Sequence, residues 1–160
     1  MLEELIEERR RLGLDGHDEV WEGEHHLAPH AHTRHGLVEA QLAVVLGMRA
    51  RAAGLWWSGA FDLGQPDDFR VPDAGAFAEP PGTLYARTAV IVVEVLSPDD
   101  ETFAKLGFYA ARGVQELVVA DPQERSVRLW QLRDGALVDT GRSDLLDVEA
   151  ATVVDEVRWP

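Results

Sequence analysis

The chain has no cysteine, a single lysine and no apolar run that approaches a membrane span. The first absence excludes a disulfide framework and any thiolate metal site. The third excludes a transmembrane helix, which needs about 20 apolar residues. The N-terminus, MLEELIEERRRLGL, is charged and carries no apolar signal core, so the cytoplasm is the expected location. Positive charge is scarce as well: 15 Lys and Arg face 29 Asp and Glu, for a net charge of -14. That balance argues against a broad electrostatic footprint on nucleic acid, while leaving room for a small local basic groove. Lys105 stands alone among fourteen arginines. An ammonium is a compact point charge whose pKa shifts readily, and a guanidinium cannot replace it in proton transfer or in point contact with a phosphoryl oxygen. The plainer alternative is a solvated Lys105 paired to Glu101 one turn earlier.

What remains is ordinary for a globular protein: 46% hydrophobic and 28% charged residues over 160 positions, enough for one domain, 1–160, with a real core. Residues 1–12 read as a short charged helix ended by Gly13 and Gly16. Residues 18–28 read as a strand pair, or one extended strand broken at Gly23. Val38, Leu42, Val45 and Met48 recur at helical spacing and predict a long helix from Thr33 to Ala53. Strands are expected over Leu55–Asp62 and Phe69–Phe77, with Gln65-Pro66-Asp67-Asp68 as the turn between them. Thr88–Leu96, TAVIVVEVL, has the unbroken apolar character of a central buried strand. A helix over Glu101–Arg112, a strand over Gln115–Ala120, a C-terminal hairpin around Asp134-Gly135 and a docked terminal helix complete the pattern. This order predicts an α/β fold: a mixed sheet, α+β in arrangement, with helices packed on it.

Two carboxylates stand out against that frame. Glu94 interrupts the apolar run of the central strand, and a buried carboxylate is costly unless paired, hydrogen-bonded or bound to a cation. A structural ion pair with Arg70 or Arg87 would satisfy it equally well. Asp73 follows Val71-Pro72 on the preceding strand. On neighbouring strands Asp73 and Glu94 converge, and two carboxylates with a backbone carbonyl suit a hard ion such as Mg²⁺. On a helical wheel Glu101, Lys105, Tyr109 and Arg112 share the polar side, opposite Phe103, Leu106 and Ala110.

The runs RVPDAGAF, IVVEVLSPDDE, KLGFYAARGV and ELVVADPQERSV together resemble the Uma2 family, also called the DUF820 group of endonucleases. The resemblance extends from about Glu19 to the closing VRWP. It implies a restriction-endonuclease-like PD-(D/E)XK core of four strands with the C-terminal hairpin added. It implies Mg²⁺-dependent, or Mn²⁺-dependent, hydrolysis of phosphodiester bonds in DNA. By position, Pro72-Asp73 matches the PD of the motif and Glu94 its second acid. Leu96 stands where the motif lysine is expected, and Lys105 falls on the family's lysine position, four residues before Tyr109. The resemblance thus implies Asp73, Glu94 and Lys105 as catalytic residues, with Asp73, Glu94 and the Val95 carbonyl holding the metal. His35 matches a family histidine at the start of the long helix, with Glu39 one turn later. Glu24 matches a family acid, and Tyr109 completes the accessory set.

His17, His25, His30 and His32 show no paired spacing on a predicted helix and read as a polar connecting segment. Trp56, Trp57 and Trp130 read as core or interface, because no basic residues interleave with them as in a base-stacking platform, and all three with Trp21 offer material for an interface. Related folds pair, so a homodimer is expected. Weak DNA binding would rest on Arg34, Arg70, Arg87 and Arg112. The competing class is a catalytically weak or inactive nuclease-fold protein serving as an interaction or regulatory subunit, for which a basic protein partner would suit the acidic surface.

Overall fold

A computed structural model describes residues 1–160. Helix α1 (Leu2–Arg11) lies on the surface and buries no residue. Strands β1 (Glu19–Trp21) and β2 (Glu24–His26) form a hairpin. Its two-residue turn, Glu22-Gly23, has positive φ at both positions, 51° and 87°, the backbone that suits a right-twisted hairpin. Helix α2 (Thr33–Ala52) begins at His32, whose ring accepts from the Arg34 N–H, and buries Val38, Leu42, Leu46 and Ala50.

The next strands are β3 (Trp56–Gly59), β4 (Asp62–Gln65), β5 (Asp68–Arg70), β6 (Ala74–Phe77), β7 (Tyr85–Ala86) and β8 (Ile91–Val95). A 3-10 turn, Thr102–Lys105, runs into helix α3 (Leu106–Ala111). Strands β9 (Glu116–Asp121), β10 (Ser126–Arg133) and β11 (Ala136–Asp139) follow. The short pair β12 (Arg142–Ser143) and β13 (Val148–Glu149) precedes helix α4 (Ala150–Glu156). No helix is long and apolar enough to cross a membrane.

The main sheet has the order β11-β10-β9-β8-β6-β3, with β8 and β9 parallel and the other pairs antiparallel. This is the expected mixed α+β architecture, with six strands rather than four in the sheet. A second sheet, β2-β1-β5-β4-β7, lies beside it. The expected strand over 69–77 is divided between the two sheets. Val71-Pro72-Asp73 separates β5 from β6, and Pro72 has no N–H to continue a ladder. The expected strand over 55–62 ends at Gly59, and its last residue opens the hairpin β4–β5 instead. The expected helix over 101–112 takes α form only from Leu106.

Alternation along β8 divides the core into two. Ile91, Val93 and Val95 pack with the buried face of α2 and with Val153 of α4. Val92 packs on the other side with Leu117, Val119, Leu63 and Tyr109. Glu94 shares the parity of Val92 and is therefore directed into the side that α3 covers. Gly75 makes the approach of β6 to β8 possible: a Cβ there would sit 2.5 Å from the Ile91 carbonyl oxygen and 2.8 Å from the Phe61 ring. Leu42 is fully buried in the α2 side of the core. Leu42→Ala is expected to cost about 2–5 kcal/mol, through lost transfer energy and the cavity left behind. Urea unfolding should show this as a lower midpoint with an unchanged slope.

Candidate active site

The site forms where the ends of β6 and β8 meet the start of α2, the crossover segment and β1. Continuing the Ala74↔Val93 register by one residue sets Asp73 across from Glu94. Asp73 lies just before β6 and is fixed at both oxygens. Its Oδ2 accepts from the Val95 N–H at 2.7 Å, and its Oδ1 lies 3.1 Å from His35 Nε2. His35 Nδ1 is 3.1 Å from Ser97 Oγ, so the ring is held between the loop after β8 and the loop before β6. Glu39, one turn along α2, places Oε2 3.8 Å from His35 Nε2.

The other half of the site is buried. Glu94 Oε1 accepts from Lys105 Nζ at 3.1 Å and from the Tyr109 hydroxyl. Lys105 Nζ also donates to Glu19 Oε1 at 2.7 Å. Lys105 therefore points inward and does not pair with Glu101, whose carboxylate lies 3.2 Å from His26 Nδ1. Of the polar side, Tyr109 is fully buried and Lys105 is 8% exposed, while Glu101 stays outside; Phe103, on the opposite side, is 44% exposed.

Burial raises the Glu94 carboxyl to about 7; Lys105 and the Tyr109 hydroxyl oppose the shift, and the Asp73 and Glu19 charges add to it. Burial pulls the Lys105 ammonium down, but the charges and hydrogen bonds of Glu94 and Glu19 outweigh it and hold its pKa above the ordinary value. Burial, with Glu94 beside it, keeps the Tyr109 hydroxyl well above its usual range. The hydrogen bond to Asp73 raises His35 against desolvation, helped by the Asp73 and Glu39 charges. Burial and the Asp73 charge raise Glu39.

The sequence-expected residues fall into two adjoining groups. Asp73, His35 and Glu39 offer one ligand atom each, all within 4.8 Å of one another. Glu94, Lys105 and Tyr109 form the second group, and the Val95 N–H joins the first by donating to Asp73. Glu24 lies exposed on β2 and shares no hydrogen bond with either group. The N-terminal hairpin contributes a different acid, Glu19, which sequence reasoning did not single out.

Arg70 is not available to a polyanion. It is 6% exposed, donates to the Val20 carbonyl and to Asp68, and lies between the rings of Trp21 (4.5 Å) and Phe108 (4.1 Å). Trp21 is covered on its other face by His26, with ring centroids 4.0 Å apart, so it offers no free ring for an interface. Arg34 and Arg87 remain exposed, and Arg112 is half-buried over the Phe108 ring.

An acid at the end of a central strand, a second acid across from it and a lysine supplied by the crossover place the molecule in the restriction-endonuclease-like fold class. The chain belongs to the Uma2 family, described as "Putative restriction endonuclease", which it matches over residues 4–155. Among solved structures it is similar to a putative nuclease of the DUF820 group from Anabaena variabilis ATCC 29413. That likeness has a TM-score of 0.69 at 14% identity, over 88% of this chain and 91% of the other. No curated protein matches the chain.

Proposed function

We propose that the chain is a divalent-metal-dependent endonuclease that hydrolyses phosphodiester bonds in DNA. The observation that carries this reading is the burial of the only lysine between two carboxylates, with Asp73 alongside. The donor set fits a metal ion. Carboxylate oxygens from Asp73 and Glu39 suit Mg²⁺ or Mn²⁺, and the His35 imidazole adds a ligand that Mn²⁺ accepts more readily. Asp73 would hold the ion, with Glu94 and the Val95 carbonyl on the strand side and His35 and Glu39 on the helix side. When bound, such an ion polarises the phosphoryl oxygen and lowers the pKa of a bound water.

The chain's own groups prepare that chemistry. Lys105, held as an ammonium by two acids, supplies a fixed positive charge and a hydrogen-bond donor where negative charge develops on the phosphate. Tyr109 fixes the Glu94 carboxylate, and His35 with the Val95 N–H fixes Asp73. Substrate attraction is local. With a net charge of -14, long-range steering of a polyanion is absent; with Arg70 buried, Arg34, Arg87 and Arg112 are the remaining cations close in sequence to the proposed residues. The cytoplasm, where DNA is accessible, is the proposed place of action.

A mobility-shift titration tests the DNA reading. With catalytically inert Ca²⁺ at low salt, duplex DNA should shift weakly, and the shift should vanish with EDTA or at about 0.2 M salt, where phosphate contacts weaken steeply. No shift on duplex or single-stranded probes would instead favour an inactive regulatory subunit with a basic partner.

The same reading takes the protein as a homodimer. Strand β3 is a free edge of the main sheet, its segment WWSG carries no charge, and Trp56 and Leu84 are exposed beside it. An uncharged edge is a template for pairing with another strand. Light scattering at micromolar concentration should give twice the 17.7 kDa chain mass, and Trp56→Arg should return it to that value.

A further inference from the structure

Lys105 Nζ lies between acids from different sheets: Glu94 on β8 of the main sheet and Glu19 on β1 of the second. The two acids are not equivalent. The bond to Glu19 is the shorter, 2.7 Å against 3.1 Å. Glu19 is itself anchored on every side. Its Oε2 accepts from Trp21 Nε1 at 2.7 Å, and its Oε1 also accepts from the Val71 N–H at 2.8 Å. Trp21 is in turn clamped between His26 and Arg70, and Arg70 holds the Val20 carbonyl at 3.1 Å. Glu94, by contrast, directs one oxygen at both Lys105 and Tyr109.

A lysine head at the end of a flexible four-carbon stem takes its position from its most rigid partner. A short charge-assisted bond to a pinned carboxylate is such a partner. We propose that Glu19 is a positioning residue for the nuclease reaction: it fixes the Lys105 ammonium beside Glu94 and thereby makes the N-terminal β1–β2 hairpin part of the active site. This rests on the nuclease reading above. It also explains the stack of His26, Trp21, Arg70 and Phe108 in terms of the site: that stack immobilises the indole that orients Glu19.

The lone lysine supplies a readout independent of cleavage. Protein labelled with ¹⁵N-lysine carries one side-chain Nζ signal, that of Lys105. In the wild-type protein, burial and two acid partners should make its ammonium protons slow to exchange and visible near neutral pH. Glu19→Gln should lose this signal to exchange. Under Mg²⁺ or Mn²⁺ it should cut plasmid DNA about 100-fold more slowly, the scale of a misplacement of roughly 1 Å, with KM little changed. Glu19→Asp keeps the charge and should recover part of both. Trp21→Phe leaves Glu19 charged but unpinned; it should fall between wild type and Glu19→Gln, and serves as the deciding variant if Glu19→Gln does not fold. An unchanged Nζ signal and unchanged kcat in these variants, beside an active wild type, would overturn the role of Glu19 alone. No cleavage by wild type with either metal would overturn the nuclease reading, and with it the part of Glu19 in the reaction.

Discussion

Lys105→Arg should give a folded protein whose cleavage of plasmid DNA is at least about 100-fold slower, the loss seen when one preorganised stabiliser of a transition state is removed. The charge is retained, so a loss would trace to shape and placement. The ammonium occupies one point, 2.7 Å from Glu19 and 3.1 Å from Glu94. A planar guanidinium is larger and presents its donors in a fixed fork, so it cannot direct one donor from that point. Crowding a packed site should destabilise the fold by about 1–3 kcal/mol. Lys105→Met is the contrasting variant. It fits the volume but leaves Glu94 and Glu19 facing each other without a cation, and breaking a buried ion pair in this way costs about 3–5 kcal/mol. The expected pattern is therefore a modest shift in melting temperature for Arg, a large one for Met, and cleavage at least about 100-fold slower in both. Full cleavage by the Arg variant would remove Lys105 from the mechanism. Lys105 has its folded pKa raised, so its contribution to stability is complete below the unfolded value of about 10.5 and is lost as pH rises through the folded value.

The residues legible in the sequence were those whose type contradicts their surroundings. Glu94 interrupts an apolar strand, Lys105 is the only lysine, and Asp73 follows a proline between two strand-like runs. Each such contradiction costs free energy unless another residue resolves it, and the structure shows Lys105 and Glu94 resolving each other. Glu19 carried no such mark. In DEVWEGE it is one of three glutamates within six residues, on a short strand where any of them has the same local reason to face solvent. Its burial depends on Lys105, 86 residues away, and on the Val71 N–H, 52 residues away.

The phase at the start of the crossover segment was not legible for a related reason. A helical wheel started at Glu101 assumes 3.6 residues per turn, but Thr102–Lys105 is a 3-10 turn of three. The Asp100 carboxylate ties down the Thr102 N–H at 2.7 Å and begins that tighter turn. The change of phase puts Thr102, rather than Glu101, in line with Lys105 and Tyr109 on the buried side. Strand β4 escaped notice as an element of its own because DLGQ carries glycine and aspartate, both poor strand formers. Pairing within the second sheet, rather than propensity, holds it extended.

Glu94→Gln should abolish cleavage and yet make the metal-free protein more stable at pH 8. Burial has raised the Glu94 carboxyl from an ordinary 4.5 to about 7. Between those values the folded state binds a proton that the unfolded state has released. Stability therefore falls as pH rises through this window, and the loss is complete above about 7. The shift corresponds to roughly 3 kcal/mol at the conversion of 1.36 kcal/mol per unit. Glutamine has the shape of the protonated acid and keeps an oxygen for Lys105 and Tyr109, but it never has to ionise in the core. In EDTA the two proteins should melt at similar temperatures at pH 5, and the variant should melt higher at pH 8. His35, whose pKa is also raised, adds a slope of the same sign as pH climbs through its folded value, but that slope is common to both proteins and cancels in the difference. Calorimetric melts of both proteins across pH 5 to 8 would check this. Parallel curves would mean that Glu94 does not carry the raised pKa. Diverging curves together with lost cleavage would mark Glu94 as a residue kept at the expense of stability for its chemistry.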